Sequence, residues 1–256
     1  MLNLGELQIN QKGMKANLKT LLVVVGFSIA MAALESAVVV YLRALYYPNG
    51  FTVALKMIDQ KILLVEIARE AATLFMLLGV GWLAGRNFKD RFAYFLLSFA
   101  VWDIFYYIWL KVFIGWPSSM LEWDILFLIP FTWLGPVLAP VICSLTMILL
   151  AVVILQSNKS LTVGLWSLLL AGSTVILFTF MKDYGNIIIA NGFISDYAQI
   201  MQNKDFLAIA STYIPQSYSW EFFAVGEILI LAVVAKMIEV NYKFITGADL
   251  NHGNRS

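Results

Sequence analysis

The chain has 256 residues, 61% of them hydrophobic and 13% charged, with a mean hydropathy of +0.82. Soluble domains carry about 25% charged and roughly 45–50% apolar residues, so this composition excludes an ordinary water-soluble fold and indicates a polytopic membrane protein. A net charge of +1 spread over short loops offers no nucleic-acid-binding face, and one cysteine (Cys143) with one histidine (His252) provides no disulfide framework and no His-based nucleophile or metal site.

Residues 1–20 are polar and carry Lys12, Lys15 and Lys19, as a cytoplasmic segment before a first span would. That span is expected over about Leu21–Leu42. Its apolar run passes through "AMA" at 30–32 into "AVVVYL", which argues for an uncleaved span rather than a signal peptide. A second span is expected over 62–84, followed by the basic loop "GRNFKDR", and a third from Phe92 to about Ile114.

The apolar stretch from Ile125 to Leu155 is too long for one straight helix and contains Pro130, Pro136 and Pro140. It is read as a Pro-broken helix. A short interfacial or re-entrant piece, "ILFLIPFTWLG", leads into a fourth span from about Pro136, packed inside the bundle where neighbours satisfy the freed backbone groups. The fifth span is expected over Leu161–Met181 and the sixth over Phe222–Val240. Between them lies a loop at 183–220, where Phe193, Tyr197, Ile200, Met201 and Leu207 recur at helical spacing opposite Asp196, Gln199, Asn203 and Asp205. That pattern predicts an amphipathic surface helix.

The expected fold is therefore all-α, a transmembrane bundle of about six spanning helices over 21–240 with a tail over 241–256. Basic residues in loops orient it. With the N-terminus inside, Lys12, Lys15, Lys19, Arg86, Lys89, Arg91, Lys159, Lys243 and Arg255 fall on the cytoplasmic side, against Arg43, Lys56, Lys61, Lys182 and Lys204 outside. Both termini are expected in the cytoplasm and loop 183–220 outside.

In this topology the ionisable residues inside the spans gather toward the outer side. Glu66, Arg69, Glu70 and Thr73 stand at i, i+3, i+4 and i+7 on the second helix and form one polar stripe, which must face protein or a wet cavity rather than lipid. Asp103, Tyr107 and Lys111 form another at four-residue steps on the third helix. Glu35 and Arg43 on the first helix, Asp124 in the following loop and Glu227 on the sixth helix complete the set. The candidate ligand-binding pocket comprises these groups with Trp102, Tyr106 and Trp123. A second reading remains open, in which Arg69 pairs with Glu66, Glu70 or Asp103 and fixes helix register without a ligand.

Trp109, Trp116, Trp123, Tyr46 and Tyr47 are placed as an interfacial aromatic belt would be. Gly81 and Gly85 in "GVGWLAG" read as a close helix-packing motif, since neither a preceding strand nor a Gly-Lys-Ser/Thr is present to make a nucleotide loop. No haem, iron–sulfur or His-rich metal site is expected, although the carboxylates are compatible with Mg²⁺ or Ca²⁺.

The segments "ESAVVVYLR", "EIAREAATL", "VWDIFYYIWLK", "EWDILFLIP" and "WLGPVLAPV" resemble a group of bacterial polytopic inner-membrane proteins without an assigned activity, over most of the first 145 residues. The resemblance implies a bacterial inner-membrane location and transfers no catalytic residue. The chain lacks the Glu-Glu-x-x-x-Arg with membrane histidines of prenyl-protein endopeptidase relatives, the Asp-Gly-x-x-Ala-Arg of lipid-headgroup phosphotransferases and the serial arginines of a voltage sensor.

Three classes of function fit these residues. The first is binding or transport of a small solute or cation in an outward-facing polar pocket. The second is a non-catalytic subunit of a larger, energy-transducing membrane complex. The third is an enzyme acting on a lipid-linked substrate, which the residues favour least. The partners expected are membrane lipids, with other membrane subunits or further copies of this chain, and no nucleic acid.

Overall fold

The computed structural model of the protein describes residues 4–48, 50–54, 59–157, 159–194, 200 and 203–246, with side chains described over 18–241 of these. Tyr197, Met201, Asp196, Gln199, Lys56, His252 and Arg255 lie outside the described residues, as do the side chains of Lys12, Lys15 and Lys243. Among the described residues there are seven α-helices and one two-stranded sheet, and the chain is 77% helical. In order these are α1 (Leu4–Tyr46), α2 (Gln60–Ala84), α3 (Phe88–Ile114), β1 (Trp123–Phe127), β2 (Trp133–Pro136), α4 (Leu138–Gln156), α5 (Val163–Ala190), α6 (Lys204–Thr212) and α7 (Trp220–Thr246).

The long helices owe their length to uninterrupted apolar sequence, and their ends to specific caps. Asn87 accepts from the Asp90 amide at the start of α3, and Gly115, at φ 71°, ends that helix in the left-handed region where a side chain would be strained. Thr162 caps α5, and Asn203 accepts from the amides of Asp205 and Phe206 to start α6. Four helices are long and apolar enough to cross a membrane: Leu18–Tyr46 of α1, α3, α4 and α5. The charged helices α2 and α7 fall outside that group of four.

The segment read as a Pro-broken helix takes a different form. Trp123–Phe127 and Trp133–Pro136 pair as an antiparallel hairpin, and only Leu138–Gln156 is helical. The prolines decide this. Pro130 sits in the connecting turn, Pro136 ends β2 where no amide is required, and Pro140 falls in the first turn of α4, whose amides need no intrahelical partner. Most of the hairpin's residues are buried or half-buried against the helices. The Val137 and Leu138 amides donate to the carbonyls of Glu122 and Met120, and Gly135 lets β2 lie directly on Phe180, where a Cβ would come within 2.9 Å.

Helix α3 is the centre of the bundle and packs on α1, α2 and α4, while α7 joins α4 to α5. Small residues set these crossings. On α1 and α3, Ser28 and Ser98 share a hydrogen bond of 2.9 Å, and the Ser36 hydroxyl donates to the Tyr106 carbonyl at 3.0 Å. A Cβ on Gly81 would approach the backbone nitrogen of Phe95 to 2.8 Å, and one on Gly85 would overlap Arg91, so this pair packs α2 against α3 as its spacing predicts. A second glycine contact, absent from the sequence reading, joins α5 to α7: a Cβ on Gly172 would lie 2.8 Å from the Gly226 carbonyl.

Helix α5 runs to Ala190, beyond the expected end near Met181, because Tyr184, Ile187 and Ile188 bury themselves against Leu134, Phe206 and Ala210. The short amphipathic helix α6 presents Phe206 and Ala210 to that cluster. The main core lies at the opposite end from the hairpin, where Leu96, Leu97, Leu150, Ile154, Leu165 and Val233 meet.

Candidate functional site

Between the hairpin and that core the helices enclose a cavity of about 330 Å³, within the usual range for small-molecule sites. The hairpin covers one end through Ile125, Leu126, Phe127 and Trp133, and Leu96, Leu150 and Leu169 form the other. Most of the wall is apolar. The polar groups lie in its half nearer the hairpin, placed there by α1, α2, α3, α4 and α7.

Eight of the thirteen residues the sequence singled out reach this cavity: Glu35, Arg69, Glu70 and Glu227, together with Trp102, Asp103, Tyr106 and Tyr107. The polar stripe of α2 serves two purposes. Arg69 bridges Glu66, at 2.8 Å, and Glu35 of α1, while Thr73 donates to the other oxygen of Glu35 at 3.2 Å. Glu70 points the other way, and its two carboxylate oxygens accept from the Leu128 amide at 2.9 and 3.1 Å. That amide lies in the hairpin turn, so Glu70 satisfies a donor the sheet leaves over.

Five of the thirteen do not line the cavity. Glu66 stays behind Arg69. Arg43 and Asp124 form a buried pair at 3.1 Å that ties α1 to β1, and the guanidinium lies over the rings of Trp116 and Phe51 at 3.8 and 3.9 Å. Lys111 turns away from the Asp103 stripe and donates to the carbonyls of Gly115 and Pro117, where it caps the end of α3. Trp123 packs edge-on against Tyr218. Of the belt aromatics, Trp109 donates inward to the Ile29 carbonyl.

Two carboxylates on the wall have neither a cation nor a backbone amide. Asp103 accepts from the Ser144 hydroxyl at 2.8 Å, and Glu227 accepts from Thr146 at 2.7 Å. The remaining oxygen of Glu227, Oε1, is buried with no hydrogen-bond partner, and the Trp102 and Trp133 indole nitrogens share that condition. Both carboxylates lie within electrostatic reach of the Cys143 thiol, so they flank one stretch of α4. Aromatic faces surround them: Trp102 tilts against Tyr106 and Phe127, and Trp133 stacks on Phe180.

Sequence reasoning missed the α4 side of this site. Ser144 and Thr146 are hydroxyls within an otherwise apolar run, "ICSLTMILL", and that break in pattern was the available signal. Trp133 and Phe127 were hidden because the hairpin was read as helix. Among the described residues no group of three or more His, Cys, Asp or Glu is arranged to hold a metal ion.

Set against known proteins, the chain matches no family model, no curated protein and no solved structure. What the site does must therefore be read from its chemistry.

Proposed function

We propose that the chain is a multi-pass bacterial inner-membrane protein that binds and transports a small cationic organic solute, held in the bundle cavity by Asp103 and Glu227. The observation that carries this reading is the contrast among the buried charges. Glu35, Glu66 and Arg69 are paired, as are Arg43 and Asp124, and Glu70 is held by a backbone amide, whereas Asp103 and Glu227 line the cavity beside neutral hydroxyl and thiol groups, with no cation. An ionised carboxylate at membrane depth costs several kcal/mol unless it is compensated, and a bound cation supplies that compensation. The aromatic walls favour an organic cation, since ring faces attract ammonium groups by about 0.5–2 kcal/mol.

Six spans fit this function, with α2 and α7 crossing alongside the four most apolar helices. Successive long helices run in opposite directions: Gly81 meets Phe95 and Gly85 meets Arg91, Asp103 meets Ser144 and Lys89 meets Ser157, and Gly172 meets Gly226 while Lys182 meets Ser219. On this reading both termini are cytoplasmic and the hairpin closes the outer end. The complex-subunit reading draws its support from α6 and the segment around it, which offer a surface for docking.

The test is uptake of radiolabelled organic amines into proteoliposomes holding the purified chain. Asp103→Asn and Glu227→Gln should each lower binding or flux at least tenfold while leaving thermal unfolding near that of the native chain. Unchanged flux in both variants would remove the cation site.

A further inference from the structure

The cavity is much longer than a small solute needs. Along α3 its wall runs from Asp103 through Phe99 and Leu96 to Phe92, all on one face. The eleven steps of helix between Phe92 and Asp103 span about 16 Å at 1.5 Å per residue. One leaflet of a roughly 30 Å hydrocarbon core is about 15 Å deep. Beyond Asp103 and Glu227 the walls are almost wholly apolar, with Met147 and Leu150 on α4, Leu169 on α5 and Ile230 on α7. One polar end thus adjoins a greasy channel about one leaflet long.

The cavity is also open sideways. Extended packing joins α5 to α7 and the hairpin, and α2 to α3, but none joins α2 to α5 among the described residues. Ser173 on α5, next to the Gly172 that packs on Gly226 beside Glu227, lines the cavity and is nonetheless exposed, as a residue at a lateral mouth is. A ligand passing that way comes from the bilayer rather than from water.

At the polar end, Glu227 is 6% exposed and its Oε1 lacks a donor. A primary ammonium supplies both the positive charge and the N–H that this oxygen lacks. We propose that the cavity holds a single-chain cationic amphiphile, with its primary ammonium between Asp103 and Glu227 and its aliphatic chain along α3, reached through the opening between α2 and α5. This deepens the cation-site reading above and rests on it.

Chain length separates the two ideas. Binding of radiolabelled butylamine and dodecylamine is measured on the full chain in lipid nanodiscs, for the native protein, Glu227→Gln, Met147→Trp and Ser173→Trp. Met147 lies one turn below Ser144 and Ser173 at the lateral mouth, neither hydrogen-bonds Asp103 or Glu227, and butylamine binding reports whether either substitution disturbs the head site. Ratios between variants in the same membrane cancel the tendency of dodecylamine to dissolve in lipid.

The expected result is that Glu227→Gln weakens both amines at least tenfold. Met147→Trp and Ser173→Trp should weaken dodecylamine at least tenfold and butylamine less than twofold. Ser173→Trp, at an exposed position, serves as the variant least able to disturb folding. If the two tryptophan variants leave dodecylamine unaffected, or weaken both amines alike with unfolding temperatures unchanged, the amphiphile proposal is wrong and the cation site stands. If neither amine binds the native protein, the cation site itself is overturned and the amphiphile proposal falls with it.

Discussion

The pair Arg43–Asp124 fixes the hairpin over the cavity, and its energetics can be separated by a double-mutant cycle. Arg43 is 8% exposed and Asp124 1% exposed, with 3.1 Å between Nη2 and Oδ1. Removing one partner from such a pair strands a buried charge, which costs about 3–5 kcal/mol. Asp124→Leu would leave the guanidinium between the rings of Trp116 and Phe51, and that residual attraction places this variant toward the lower end of the range. Arg43→Met would leave Asp124 with no cation, while the Ile125 amide and the Tyr107 hydroxyl still donate to it, so this variant falls within the same range. The double variant removes both charges and fills the space with apolar atoms, so it should fall within about 2 kcal/mol of the native chain. The coupling energy then reaches at least about 4 kcal/mol. Equilibrium unfolding in mixed micelles measures all four proteins. Additive losses, or single losses below about 1 kcal/mol as for a solvent-exposed pair, would refute the argument that this pair is buried and interdependent.

Glu70→Gln should keep an acceptor for the Leu128 amide and change stability little. Glu70→Ala should cost about 1.5–3 kcal/mol, the value of a charge-assisted hydrogen bond, with faster hydrogen exchange at Leu128; equal exchange in both variants would detach Glu70 from the hairpin. Gly172→Val should separate α5 from α7, because a Cβ there already meets the Gly226 carbonyl at 2.8 Å; a loss of about 1–3 kcal/mol in thermal unfolding is expected, and none if the helices pass further apart. Cys143 is the single cysteine and lines the cavity, so a small neutral thiol reagent should label the folded chain there, more slowly when butylamine is present. Labelling that ignores the amine would place the cation elsewhere.

The helices and several of their contacts were legible in the sequence because both rest on local patterns. Apolar runs gave α3 and α4 almost to their ends, and the spacing of Gly81 and Gly85 announced a close contact that Phe95 and Arg91 supply. The stripe of Glu66, Arg69, Glu70 and Thr73 revealed that one face of α2 turns inward. It did not reveal that this face divides, with Arg69 going to Glu35 and Glu70 to a turn amide, because the second partner is backbone, which no side-chain pattern encodes. The hairpin was illegible for a related reason. Its apolar residues run continuously, so neither alternation nor helical period appears, and only the positions of three prolines distinguish sheet from broken helix.

The same division explains which charges bear on function. Sequence spacing finds charges that must be buried, but their partners lie at separations such as 38 residues for Glu35–Thr73 and 81 for Arg43–Asp124, which only the fold brings together. Once those pairs are accounted for, the polar stripe that first suggests a pocket becomes largely a set of struts for α1, α2 and the hairpin. The residues left with chemistry to offer are Asp103 and Glu227, on helices far apart in sequence and joined through Cys143, Ser144 and Thr146 on α4. The proposed cation between them would answer a demand set by the packed bundle rather than by any one helix, since Glu227 keeps a buried oxygen without a hydrogen-bond donor.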